Sequence, residues 1–148
     1  MSTPYDNIHN RVLIKISDRD LLSLLPADLE EYLDNLLRSA LVKFRTNNVD
    51  LSDRNDGARE FNTTLSEIEE EILALFEVVE WLTPQIKSID ILKQNLSTKD
   101  YKLASQANHL DKLQALYRES QITAERLRID YNFRTTSLDD LLWLLNMD

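Results

Sequence analysis

Apolar positions recur along this chain at steps of three and four, the period of helices that bury one face. Residues 28–45 give the cleanest case: Leu29, Tyr32, Leu33, Leu36, Leu37, Ala40, Leu41 and Phe44 share a face, and charged residues take the other. Leu65, Ile68, Ile72, Leu75, Phe76, Val79 and Leu82 mark a second helix, with Glu67, Glu69, Glu70, Glu71, Glu77 and Glu80 on its opposite side. It is expected to close near Thr83-Pro84, because proline disfavours helical geometry in the residue before it. Ile86, Ile89, Ile91 and Leu92 then predict a short joining helix within residues 84–96.

Residues 98–131 contain neither Pro nor Gly and carry a stripe of Leu103, Ala107, Leu110, Gln114, Tyr117, Gln121, Ala124, Leu127 and Tyr131. Their spacing predicts one helix roughly 50 Å long, ending within residues 132–136. Ser97-Thr98-Lys99-Asp100 supplies its capping chemistry. Near the N-terminus, residues 11–16 read Arg-Val-Leu-Ile-Lys-Ile, a β-branched run that predicts a strand, either packed on helices or paired with another chain. Ser17-Asp18-Arg19-Asp20 caps a short helical segment that stops at Pro26, and residues 47–57, rich in Asn and Asp, predict a connecting loop.

These elements predict an all-α fold in a single helical domain over residues 1–148. It comprises a short extended arm (1–16), a helical bundle with one very long helix (17–131) and a C-terminal docking segment (132–148). In that last segment Leu138, Leu141, Leu142, Trp143 and Leu145 crowd a stretch close to the final residue, after the polar joint Arg134-Thr135-Thr136-Ser137. So apolar a stretch needs a surface to bury against. Folding back on the bundle is one solution. Docking into a neighbour is the preferred one, because the joint lets the segment swing out, and these five residues are the candidate partner-binding residues.

Composition narrows the function. With 26 acidic against 17 basic side chains among 148 residues, the net charge of -9 opposes tight binding of phosphate backbones. No cysteine is present, which removes disulfides, thiolate nucleophiles and Cys-ligated zinc. No secretion signal or membrane span is expected, since no basic start leads into a long apolar run. Gly57 is the only glycine, so neither a phosphate loop nor a dinucleotide-binding turn can be built.

Candidate chemistry is sparse. Asp53-Arg54-Asn55-Asp56-Gly57 resembles a calcium loop only loosely: aligned on Gly57, Arg54 falls on a ligand position and Thr63 replaces the closing glutamate. His9 and His109 lie on different segments without ligand spacing, and His109 reads as a surface or helix-interface residue. Glu67, Glu69, Glu70 and Glu71 read as a solvated face. Tyr32, Phe44, Phe76 and Tyr117 read as core. No catalytic, cofactor-binding or metal-ligating residue is expected, and the chain reads as a non-enzyme.

Trp81-Leu82-Thr83-Pro84, Lys99-Asp100-Tyr101-Lys102 and Ser105-Gln106-Ala107-Asn108, with the leucines and charges that follow to Tyr131, resemble the head-tail connector (adaptor or neck) proteins of tailed bacteriophages. The resemblance covers about the C-terminal half and involves no catalytic signature. It implies a small helical bundle that is a structural virion protein, assembled in the host cytoplasm as a homo-oligomeric ring in the neck beneath the portal. It also implies that portal and tail or neck proteins are partners, that the C-terminal segment reaches an adjoining subunit, and that DNA passes without specific binding. The alternative is an intracellular helical binding module or regulatory adaptor.

Overall fold

Residues 72–79 read Ile-Leu-Ala-Leu-Phe-Glu-Val-Val, and every one of them is buried. A helix buried on all sides needs neighbours all round it, so this segment forms the centre of the molecule. The computed structural model describes residues 1–16, 26–95 and 102–135. They form a two-residue strand β1 (Thr3–Pro4), α1 (Tyr5–Lys15), α2 (Pro26–Lys43), β2 (Arg54–Asn55), β3 (Glu60–Phe61), α3 (Glu67–Asn95) and α4 (Lys102–Thr135). The central helix α3 packs against α1, α2 and α4. The core joins Tyr5, Ile8 and Val12 from α1, Leu37 and Ala40 from α2, the α3 run, and Leu113, Ala124 and Tyr131 from α4.

The described residues are mostly helical, as expected, but the N-terminal arm is not extended. Residues 11–15, expected as a strand, are the last turns of α1. Read from Tyr5, the apolar spacing is helical: Tyr5, Ile8, Val12 and Ile16 are buried, whereas Ile14, which a strand would place beside Val12 and Ile16, is 85% exposed. Instead the N-terminus contributes β1, which pairs antiparallel with β3 (Thr3 opposite Phe61), and β3 pairs with β2 on its other side. The polar loop after α2 therefore folds as a small sheet. Thr3 Oγ1 ties it down, donating to the Thr63 carbonyl at 2.9 Å and accepting from the Leu65 amide at 2.8 Å.

Nor does the second helix stop at Thr83-Pro84. It continues through Pro84 to Asn95 as one element, in place of a separate joining helix. Proline cannot donate to the Glu80 carbonyl, but side chains serve the neighbouring carbonyls: Thr83 Oγ1 donates to Val79 O at 2.8 Å and Gln85 Nε2 to Trp81 O at 3.2 Å. Consequently no one very long helix stands apart; α3 has 29 residues and α4 has 34. The face of α4 also departs from the expected stripe, for Ser120 is buried where Gln121 was expected, and Gln121 is exposed. The segments expected to cap and form a short helix before Pro26, to start the long helix at residues 97–100, and to form the C-terminal docking element all lie outside the described residues.

Candidate functional site

Burial on all sides leaves the one acid of the central run, Glu77, with no route to water: its side chain is fully buried. The expected solvated glutamate face is thus wrong at two positions, since Glu69 is also buried. Glu77 is met from α1 by His9, whose Nδ1 lies 2.8 Å from Glu77 Oε1, within ion-pair distance but off the line of a hydrogen bond. On its other side His9 Nε2 lies 2.7 Å from Asp34 Oδ1 of α2. Arg59, from the turn before β3, closes the chain of charges with Nε donating to Asp34 Oδ2 at 2.7 Å and Nη2 to Asp34 Oδ1 at 3.0 Å. Arg59 also reaches Asp6 at 2.9 Å and Glu30 at 3.3 Å, and its backbone is left-handed at φ 56°.

Two carboxylates facing both ring nitrogens suit the imidazolium, the only form of histidine with two N–H donors. Burial pulls the His9 pKa down, yet Glu77 and Asp34 outweigh it and the net direction is up. Burial raises Glu77, and His9 offsets only part of that rise. For Asp34 burial pushes upward too, but Arg59 and His9 overcome it and hold the carboxyl below its usual range. The ladder Glu77, His9, Asp34, Arg59 alternates in sign and knits three helices and the sheet. It is closed off from solvent at Glu77 and His9, so a substrate has no access there. Among the described residues, no group of three or more His, Asp or Glu side chains could hold a metal ion. The ladder is a structural joint.

A second polar joint ties α4 to the start of α3. Ser66 and Glu69 form a reciprocal cap, the Ser66 amide donating to Glu69 Oε1 at 2.7 Å and the Glu69 amide to Ser66 Oγ at 3.3 Å. The other oxygen of Glu69 accepts from the Tyr131 hydroxyl, and the Tyr131 ring packs 5.7 Å from that of Phe44. These contacts fix which side of α4 faces inward.

The side that faces outward is the candidate functional surface. Ile122, Ile129 and Phe133, seven and four residues apart, are 52%, 58% and 70% exposed. With Gln121, Glu125, Arg126 and Asp130 they form one continuous face of the helix. Large apolar side chains aligned in water mark a contact face, where scattered single ones do not. They escape a reading of the sequence that follows one stripe per helix, because α4 carries apolar residues on two sides; their own step of seven then four was the available signal. The expected partner-binding residues Leu138, Leu141, Leu142, Trp143 and Leu145 lie outside the described residues. So does His109 as a side chain, while Gly57 sits in the turn between β2 and β3, consistent with a turn at that loop. No helix among the described residues is long and apolar enough to cross a membrane. Comparison of the chain with protein-family models, with curated proteins and with solved structures finds no match.

Proposed function

We propose that this chain is a structural subunit without enzymatic activity, and that its working surface is the outer face of α4. The observation that carries the proposal is the aligned exposure of Ile122, Ile129 and Phe133 on a helix whose opposite side is fixed to the core. A rigid helical body with one apolar face is suited to holding neighbours in register. The resemblance of the segment from Trp81 onward supplies the setting: a head-tail connector ring of a tailed bacteriophage, between portal and tail. A net charge of -9 suits a wall past which DNA slides without being gripped. Leu138, Leu141, Leu142, Trp143 and Leu145 belong to this proposal as a further docking element.

Electron microscopy of the purified protein, alone and mixed with the portal of the same phage, tests the proposal. Ring-shaped particles in either sample, lost in Phe133→Asp, are the expected result. Monomers in both samples overturn it.

A further inference from the structure

We infer that the outer face of α4 pairs with the same face of a second copy of this chain, antiparallel about a twofold axis. The inference rests on the reading of this face as an assembly surface and adds the identity of its partner. At about 100° per residue, Ile122, Ile129 and Phe133 fall in one narrow strip, Arg126 and Asp130 lie together along one edge, and Glu125 lies along the other. Antiparallel helices bring like edges together. Each Arg126 then comes opposite the partner's Asp130, twice over by symmetry, while Ile122 comes opposite the partner's Phe133 and Ile129 lies near the axis. The patch is complementary to itself in both charge and apolar contact.

The ion pairs within the chain leave room for this arrangement. Arg126 makes no ion pair among the described residues, although Asp130 is four residues ahead on the same helix. A base placed four residues before an acid is the weaker order in a helix. Asp130 takes the stronger order instead, accepting from Arg134 Nε at 3.1 Å, but in a pair so exposed that exchanging it for another partner costs little. On the other edge Glu125 is held by both Nε and Nη2 of Arg128, at 2.9 Å and 2.6 Å. A parallel pair would set Arg126 against the partner's Glu125, a carboxylate already occupied. An isologous pair joins copies two by two, so a ring requires a second, different contact elsewhere.

Sedimentation equilibrium of the full chain tests the pairing with two charge reversals, Arg126→Asp and Asp130→Arg. In an antiparallel homodimer each variant sets like charges together twice, so each alone is expected to dissociate at least about tenfold more readily than the parent chain. Mixed in equal amounts they restore both attractions, and the mixture is expected to dimerise as the parent does. A parallel pair gains nothing from the mixture. Ile129→Glu is expected to weaken the dimer about a hundredfold or more, with an unchanged helical circular dichroism spectrum because Ile129 is exposed. A parent chain that stays monomeric, a dimer indifferent to Ile129→Glu, or a mixture that fails to recover overturns the pairing. If the parent is monomeric but Ile129→Glu still abolishes ring formation with the portal, the pairing falls and the assembly surface stands. If Ile129→Glu affects neither, both fall.

Discussion

His9 draws its proton balance from three directions: Glu77 on α3, Asp34 on α2 and, behind Asp34, Arg59 before β3. Its folded pKa lies above the ordinary 6.5, so its contribution to stability is complete below that value and is lost as pH rises through the raised one. Glu77, also raised, works in the same direction, whereas Asp34, lowered, matters only in acid. Burial raises Tyr5 and Tyr131 too, but those hydroxyls act only above 10.0. Urea midpoints are therefore expected to fall as pH rises above 6.5 in the parent chain and to stay nearly level in the double variant His9→Gln, Glu77→Gln, which removes both raised groups. A level parent profile counts against the charged ladder. Glu69 and Glu70 give a second contrast between adjacent residues. Glu69→Ala removes a cap and the acceptor of Tyr131, at about 1–3 kcal/mol, while Glu70→Gln is expected to stay within about 0.5 kcal/mol. Denaturant titration of the two variants measures the difference. Read from the sequence alone the two acids look alike, since the burial of Glu69 depends on a tyrosine 62 residues away.

Elements were legible where one period ran uninterrupted. The helix expected over residues 28–45 appears as α2, Pro26–Lys43, because a single stripe there faces a single neighbour. In α1 the β-branched run of residues 11–16 suggests a strand only when cut from Tyr5 and Ile8, whose burial reveals the longer period. The sheet left no such trace: strands of two residues are too short to alternate, and their pairing joins residues 3 and 4 to residues 60 and 61. Pro84 is the clearest case of packing overriding a local rule, since the hydrophobic demand of α3 continues past it. That override has a measurable cost. Pro84 is exposed, and Pro84→Ala restores a donor to the Glu80 carbonyl, so stability is expected to rise by about 1–3 kcal/mol. An unchanged or lowered urea midpoint would show that Pro84 carries no such cost at this exposed position.

Across the whole molecule, α3 is the element on which the other helices depend. Backbone amides of residues 72–79 are expected to exchange with solvent slowest of all, close to the rate of global unfolding, and those of residues 54–63 much faster. Hydrogen exchange followed by mass spectrometry reads both; fast exchange in the central run would deny it that place. Leu37→Ala, fully buried against this centre, is expected to cost about 2–5 kcal/mol in the same titrations. The surface of α4 was less legible than the core for a related reason. Burial imposes a period that the sequence displays, whereas a contact face on a helix already apolar on its core side shows only as a few residues out of step, here Ile122, Ile129 and Phe133.

The central place of α3 has a consequence for the birth of the protein. Synthesis runs from the N-terminus, so α1 and α2 emerge from the ribosome before the helix that covers them does. At about 5–20 residues per second, the interval between the emergence of Lys43 and that of Leu82 is roughly two to eight seconds. During that time the greasy sides of two amphipathic helices lack their permanent cover, which makes the nascent N-terminal third a natural client for chaperones that hold unfinished chains.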